Sequence, residues 1–225
     1  MPPPPTVILF DLDGTLVKFD VDAPILDRVL AQVVGLPDQG RLYDGVGRTE
    51  RWIATEAARS VGMPLEGAFE RYAAAYTPLL REALAHVAPT PLPGVTAALE
   101  ALRARDDVVI GMATGGMRAN AVLKMEHARI ASFFDPLRGA FGDEHHDRVE
   151  VFRHAALDCG WSGGQGLVFV GDTERDILSA LEVGGRPVGV ATGGFTEAQL
   201  REAGAAAVLP DFTDLPRTLS ALIEA

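Results

Sequence analysis

Residues 6–16 have the sequence TVILFDLDGTL, which is the most informative segment of the chain. Its first half is a short apolar run rich in β-branched residues, which predicts a buried strand. Asp11 and Asp13 follow where that strand ends, and Gly14 allows the chain to turn at once. Ligands of parallel α/β sheets bind at this edge. Because like charges this close repel, the pair predicts a divalent cation or a shared proton beside it.

Short apolar runs alternate with amphipathic stretches along most of the chain. Strands are predicted at 7–10, 108–113, 166–170, 187–191 and 206–209. Helices are predicted between and after them at 94–105, 117–127, 149–159, 173–183, 196–203 and 214–223. This alternation is typical of a doubly wound parallel sheet with helices on both faces, in the α/β class.

One interval departs from the alternation. From residue 17 to residue 91 no segment predicts a strand, and helical patterns occupy 23–34, 49–61 and 65–85. A proline-rich connector at 89–94 leads back to the alternating part. We therefore predict a core domain of 1–16 and 92–225 and an all-helical cap domain of 17–91. A cap inserted directly after the aspartate turn would lie over the site as a lid.

Composition limits the function classes. The chain has 225 residues, 48% of them hydrophobic, and a formal net charge of −11. An acidic surface argues against nucleic acid or an anionic membrane as the partner. No apolar run approaches the roughly 20 residues of a spanning helix. The single cysteine, Cys159, excludes an internal disulfide and favours a cytoplasmic location.

A second acidic pair follows a later strand. Gly171 and Asp172 follow the predicted strand 166–170, and Asp176 lies one helical turn further on the same face. Asp172 can reach a metal directly, whereas Asp176 can act through water or hold a metal ligand in place. Helix capping by Asp172 or Thr173 explains the same residues and stays open as an alternative.

Two further segments suit an anion. Thr114 and Gly115 follow the strand 108–113 and precede a helix, and the backbone N–H groups of such a turn favour a phosphate-sized anion. Arg148 begins the helix predicted at 149–159, where a cation would moderate the carboxylate repulsion and hold an anionic oxygen. An ordinary loop and a surface arginine are the simpler alternatives for these two segments.

The order and spacing of these motifs resemble the haloacid dehalogenase-like hydrolase superfamily, in its phosphoglycolate phosphatase-like group with a helical cap. FDLDGTL at 10–16 matches the first motif, Thr114 the second, and GDTERD at 171–176 the fourth. The third motif is usually a lysine followed by proline. The chain has no such pair; Arg148 is the candidate for that role, and His146 lies near the same register. The resemblance implies a Rossmann-like core.

The resemblance also implies roles for the acidic residues. Asp11 would be the nucleophile that accepts the phosphoryl group. Asp13 would protonate the leaving oxygen and then deprotonate the attacking water. Mg²⁺ would be bound by Asp11, the backbone carbonyl of Asp13 and Asp172, with Asp176 in support. These roles agree with the preference of Mg²⁺ for carboxylates, waters and substrate oxygens.

The same resemblance implies the substrate contacts. Thr114 and the Gly115 N–H would hold the phosphoryl oxygens, and Arg148 would neutralise charge and orient Asp11. Arg48, in the segment GVGRT at 45–49, resembles a cap residue that contacts the far end of the substrate. Its alternative is an exposed helix start.

We therefore expect a Mg²⁺-dependent phosphatase that hydrolyses a small, phosphoglycolate-like phosphate monoester. An aspartate at position 13 fits oxygen leaving groups rather than the dehalogenase or phosphonate-cleaving branches that the resemblance includes. A sugar phosphomutase of the β-phosphoglucomutase kind and a catalytically silent phosphometabolite-binding protein are the alternatives. The expected partner is a small phosphorylated metabolite, the location cytoplasmic, and the protein a monomer or homodimer.

Overall fold

The structure, a computed structural model, describes residues 4–35, 45–134 and 137–223. Parts of the predicted core and cap segments lie outside the described residues, namely 1–3, 36–44, 135–136 and 224–225.

A parallel sheet forms the centre of the molecule. Its strands are β1 (Thr6–Phe10), β4 (Val108–Thr114), β5 (Gly139–Phe141), β6 (Leu167–Gly171), β7 (Arg186–Val190) and β8 (Ala207–Leu209). They are ordered β5-β4-β1-β6-β7-β8, and each neighbouring pair is parallel. After β1 the chain forms β4 and β5 on one side of that strand, and it then forms β6, β7 and β8 on the other side. The predicted doubly wound α/β fold is therefore confirmed.

Helices cover both faces of this sheet. They are α4 (Val95–Arg103), α5 (Arg118–His127), α6 (Arg148–Asp158), α7 (Glu174–Val183), α8 (Glu197–Glu202) and α9 (Leu215–Ile223). A short 3₁₀ helix covers Ala131–Phe134.

Successive side chains of β1 belong alternately to two apolar clusters, one on each face of the sheet. Ile8 and Phe10 belong to a cluster that includes apolar side chains of α4, α5 and α9. Val7 and Leu9 belong to the opposite cluster, with side chains of α6 and α7. All four side chains are at most 1% exposed. Successive residues of a strand point to opposite faces, so this one strand is buried on both sides and its carboxyl end is held rigidly.

Among the described residues, three helices lie between β1 and α4 in the sequence. They are α1 (Asp22–Val34), α2 (Glu50–Ser60) and α3 (Ala68–Leu84). Their apolar side chains form one cluster, which also includes Met117 and Leu123 from the core segment around α5. The helical segment therefore packs directly on one helix of the core.

The structure contains short strands that the sequence does not predict. A short antiparallel pair joins β2 (Val17–Lys18) to β3 (Thr90–Pro91) at the two ends of the helical segment, where no strand was expected. Strand β5 was also not predicted. β2, β3 and β5 have two or three residues and lack the apolar run that marks the equally short β8, and they form because distant segments pair with them.

Within the described residues, no helix combines the length and the apolar character needed to cross a bilayer.

Candidate active site

Three carboxylates meet at the carboxyl edge of the sheet. Asp11 follows β1, Asp172 follows β6, and Asp176 lies in the first turn of α7. One oxygen of each lies within 4.8 Å of the others, and all three residues are buried. Parallel strands end at the same edge, which explains why residues more than 160 positions apart converge, as residues 11 and 172 do here.

A buried cation accompanies them. Arg148 is the first residue of α6, and its Nη2 lies 3.1 Å from Asp11 Oδ1. Its Nε donates to Asp176 Oδ1 at 2.9 Å, and its Nη2 contacts the same oxygen. Burial lowers the pKa of Arg148, but Asp176 and Asp11 outweigh it and keep the pKa above its usual value. The structure thus brings the predicted arginine to the predicted carboxylates.

Asp172 is held closely by neighbouring backbone. The Thr15 hydroxyl donates to Asp172 Oδ1 at 2.9 Å. A Cβ added at Gly14 would lie 2.5 Å from Asp172 Oδ2, and one added at Gly193 only 1.7 Å from it. Only glycine allows these approaches, so two loops confine this carboxylate.

The charges in the cluster do not balance without a cation. Burial, followed by the charges of Asp11 and Asp176, raises the pKa of Asp172 well above its usual value. Burial also raises the pKa of Asp11 to about 6, although Arg148 opposes it. One arginine thus faces three buried carboxylates. The set of hard, anionic oxygens within 4.8 Å of one another therefore fits a divalent ion such as Mg²⁺.

Asp176 is fully engaged with protein groups. Its Oδ2 accepts hydrogen bonds from the Thr173 backbone N–H at 3.0 Å and the Thr173 hydroxyl at 2.7 Å. Thr173 is the N-cap of α7, and the two residues form a reciprocal capping box. Asp176 therefore links a helix N-terminus to Arg148, and helix capping falls to Thr173 rather than Asp172.

Thr114 and Gly115 lie at the end of β4 beside Asp11. The Thr114 hydroxyl hydrogen-bonds the Asp11 side chain, which lowers the pKa of Asp11. Gly115 contacts two site segments: a Cβ added there would lie 2.3 Å from the Arg48 carbonyl oxygen and 2.6 Å from Arg148 Nη1. Its carbonyl accepts from Glu50 N at 2.8 Å. The anion contact predicted for the Gly115 N–H stays a prediction.

The segment before α2 brings Arg48 to the same region. The Arg48 guanidinium lies over the Trp52 ring, 4.5 Å from its centroid. Thr49 caps α2 and donates from its hydroxyl to the His146 carbonyl at 2.7 Å. This contact joins the helical segment to the loop before Arg148. His146 thus participates through its backbone, and the buried cation at the carboxylates is Arg148.

A cavity of about 220 Å³ opens over these residues. Its lining includes Asp11, Thr114, Arg148, Arg48, Asp13 and Glu50. The Glu50 carboxyl accepts from the Met117 backbone N–H, and burial raises its pKa well above the usual value. Its Oε2 is buried and makes no hydrogen bond among the described residues. Glu50 was not predicted, because an acid in the first turn of a helix is common without a site.

A second group of site residues was also missed. Lys124 on α5 donates to Asp13 Oδ2 at 2.9 Å and to Asp22 Oδ2 at 2.8 Å. The Tyr76 hydroxyl donates to Asp22 Oδ1 at 2.7 Å. The spacing of Lys124 from the buried residues Ala121 and Ala128 is the signal that could have identified it. A lysine at such a position lies on the apolar face of its helix.

The parallel sheet and the carboxylate–arginine centre at its carboxyl edge define an α/β protein with a candidate site where ligands of such sheets bind. A model of the haloacid dehalogenase-like hydrolases matches residues 5–184. The chain belongs to this family.

Its relatives are named phosphatases. The probable phosphatase IndB of Dickeya dadantii (strain 3937) is 29% identical over 232 residues, which cover 97% of this chain and 95% of that protein. The phosphoglycolate phosphatase of Caulobacter vibrioides is 30% identical over 224 residues, covering 96% and 91%. A crystal structure of a hydrolase from Pseudomonas syringae has a TM-score of 0.71 at 23% identity, covering 97% of this chain and 100% of that one, and shows the same fold. The prediction of a hydrolase of the phosphatase class is confirmed.

Proposed function

We propose that the protein is a Mg²⁺-dependent phosphatase that hydrolyses small phosphate monoesters through a phosphoaspartate on Asp11. One observation carries this proposal. The Asp11 carboxylate lies 3.1 Å from the Arg148 guanidinium and within 4.8 Å of carboxylate oxygens of Asp172 and Asp176. Asp11, Arg148 and Asp172 line a small cavity. A carboxylate attacks an anionic phosphate only where positive charge screens its approach.

The proposed reaction has two steps. In the first, an Asp11 oxygen bonds to phosphorus, the ester P–O bond breaks, and Asp13 gives its proton to the leaving oxygen. In the second, water attacks the phosphoaspartate, Asp13 takes a proton from that water, and phosphate leaves as Asp11 is restored. Such acid–base assistance contributes about 10²–10⁴-fold in rate.

The residues proposed to bind the phosphoryl group are those that lie beside Asp11. Thr114 and the Gly115 N–H, at the end of β4, are proposed to hold the phosphoryl oxygens beside Asp11. Arg148 is proposed to orient Asp11 and to neutralise part of the charge that develops in the transition state. Fixed donors of this kind are effective because the buried site excludes water and the donors need not reorganise.

The metal would be held by Asp11, Asp172 and the backbone carbonyl of Asp13, with Asp176 in support. When bound, Mg²⁺ supplies positive charge that screens the carboxylates and stabilises the phosphoryl oxygens. Thr15, Gly14 and Gly193 confine the Asp172 carboxylate. Such supporting groups orient a metal ligand before the ion arrives.

For the substrate we propose a small phosphorylated metabolite, with phosphoglycolate as the first candidate. The name of the Caulobacter relative supports this choice. Arg48, which lines the cavity, is the proposed contact for the far end of the substrate. We further propose that residues 17–91 act as a cap over the cavity and that the enzyme works in the cytoplasm.

The test uses p-nitrophenyl phosphate and a panel of metabolite phosphates, with phosphate release measured with and without Mg²⁺. We expect Mg²⁺-dependent release that Asp11→Asn abolishes. Asp107→Asn is the matched control, because Asp107 pairs with Arg105 on the surface, before β4 and away from the site.

Undiminished phosphate release by the Asp11→Asn variant would refute the nucleophile. With β-glucose 1-phosphate as substrate, glucose 6-phosphate as the main product would instead identify a phosphomutase. Binding of phosphate esters without turnover, detected as a thermal shift, would identify a silent binding protein.

A further inference from the structure

Lys124 is a buried cation to which none of the proposed steps assigns a role. It lies on α5, is 2% exposed, and its Nζ contacts two carboxylates, Asp13 at 2.9 Å and Asp22 at 2.8 Å. Lysine is almost never buried to this degree unless it is paired. The position therefore needs an explanation.

The contacts of Lys124 join three parts of the chain. Asp13 belongs to the turn after β1, and Asp22 is the first residue of α1. The Tyr76 hydroxyl, from α3, donates to the other oxygen of Asp22 at 2.7 Å. One ammonium group thus connects the turn that carries Asp11 to two helices of the inserted segment.

The energetics argue against a purely architectural role. Withdrawing an ammonium group from water costs several kcal/mol, and an apolar side chain of similar volume often serves packing better. The Lys124 Nζ lies 5.8 Å from the centroid of the Phe19 ring, and Phe19 belongs to the apolar cluster of α1–α3, so an apolar side chain would meet an apolar neighbour here. The cation at this position is better explained by the carboxylates that it contacts.

The geometry of Asp13 indicates what the lysine does. Lys124 binds Oδ2, and Oδ1 is buried without a hydrogen-bond partner among the described residues. The carboxyl group is therefore held through one oxygen. A group that must give a proton to one atom and then take one from another works best when its orientation is held in advance.

We propose that Lys124 is a positioning residue for Asp13, which it holds in the orientation needed for proton transfer to the leaving oxygen. The proposal rests on the proposed function. It predicts that substitution of Lys124 lowers kcat/KM most for substrates whose leaving oxygen must be protonated.

The test compares two substrates in each variant. p-Nitrophenolate leaves readily as an anion, whereas an alkoxide needs a proton. The second substrate is phosphoglycolate, or the best alkyl phosphate from the metabolite panel. The value of kcat/KM reports the steps up to formation of the phosphoaspartate. The ratio of the two values cancels any difference in the fraction of folded enzyme.

For Lys124→Met we expect kcat/KM on the alkyl ester to fall about 10-fold or more beyond its fall on p-nitrophenyl phosphate, within the range of acid catalysis. Asp13→Asn should change the ratio in the same direction. Adding Lys124→Met to Asp13→Asn should change it no further, since residues that act as a unit are not additive.

Thr77→Val is the matched control for loss of a contact between helices. The Thr77 hydroxyl donates to Asn120 Oδ1 at 2.9 Å, so it joins the same two helices, α3 and α5, away from Asp13. This variant should lose stability and keep the wild-type ratio.

An unchanged ratio in Lys124→Met would overturn the proposal, and so would an equal change in Thr77→Val. These results are independent of the Asp11→Asn test. A failure of the positioning role therefore remains distinguishable from a failure of the phosphatase mechanism.

Discussion

Asp172 shows how two glycines and a threonine hydroxyl can confine a buried carboxylate, one that we propose as a metal ligand. Gly14 and Gly193 come from opposite ends of the sequence, and both approach Asp172 more closely than any Cβ would allow. The Thr192 hydroxyl donates to the Gly14 carbonyl at 2.6 Å and so ties these two loops together. The carboxylate is confined before any ion binds, which lowers the conformational entropy lost on metal binding.

We predict that Gly193→Ala weakens metal binding. The new Cβ would lie 1.7 Å from Asp172 Oδ2, so either the carboxylate or the loop must move. We expect the Mg²⁺ concentration for half-maximal activity to rise about 10–100-fold, the usual result of disturbing a group that orients a metal ligand. The measurement is a Mg²⁺ titration of p-nitrophenyl phosphate hydrolysis.

Gly194→Ala is the adjacent control. A Cβ at Gly194 meets nothing within 4 Å, so the same change one residue later should leave the Mg²⁺ titration unaltered. A folded Gly193→Ala variant with the wild-type titration would show that the contact does not orient Asp172.

Single residues differ in how far the sequence reveals them. Asp11 and Asp172 were predicted to lie together, because each directly follows an apolar strand and parallel strands end at one edge. Gly193 and Lys124 were not predicted, because nothing in the residues around them indicates which carboxylate each one contacts. No local pattern marks a glycine that touches a carboxylate, and a lysine inside a helix is ordinarily solvated.

Among the elements, helix α7 links several groups of the candidate site. Its capping box uses Asp176, and the same carboxylate binds Arg148, which in turn contacts Asp11. A motif that stabilises a helix terminus therefore also contacts, through the arginine, the carboxylate that we propose as the nucleophile. The capping and the catalytic interpretations of this segment are compatible.

We predict that Thr173→Ala costs about 1 kcal/mol of unfolding free energy, as typical for a lost N-cap. It should also lower kcat/KM, because Asp176 loses the Thr173 hydroxyl donor and keeps only the backbone N–H, so Arg148 loses a rigid partner. Chemical denaturation and steady-state kinetics measure the two effects.

Helix α8 offers a matched control, since Thr196 and Gln199 form the same kind of capping box on the surface. Thr196→Ala should cost a similar free energy and leave kcat/KM unchanged. Equal kinetic effects in the two variants would mean that activity reports only general stability.

The elements also show which strands and helices an apolar sequence pattern predicts and which it does not. The long strands and the helices were predicted because apolar side chains repeat along them. The antiparallel pair of Val17–Lys18 with Thr90–Pro91 and the strand Gly139–Phe141 were not predicted. These segments acquire strand structure from pairing with distant backbone, and their own side chains show no periodicity.

At the scale of the whole molecule, the carboxylate cluster is a source of instability in the metal-free protein. Three buried carboxylates share one arginine in a chain whose net charge is already −11. Burial raises the pKa of Asp11 from 3.8 to about 6, so the folded state holds a proton that the unfolded state has lost in this range. Folding stability from this residue therefore falls as pH rises from about 4 to about 6.

Magnesium should reverse this dependence. Metal binding requires ionised carboxylates, so protons compete with the ion and its stabilising effect grows as pH rises through about 6. At 100 times its dissociation constant, the ion would add about 2.7 kcal/mol. For a chain of this size that corresponds to a rise in Tm of roughly 5–10 °C at neutral pH.

We therefore predict that the difference in Tm between Mg²⁺ and EDTA is small near about pH 5 and larger near about pH 8, as measured by thermal unfolding. Asp11→Asn mimics the protonated carboxyl group, so in EDTA the wild type should lose stability relative to this variant as pH rises. The same variant should show a much smaller response to Mg²⁺. A Mg²⁺-induced shift of equal size at both pH values would contradict this linkage, because the ion would then not bind where Asp11 exchanges its proton.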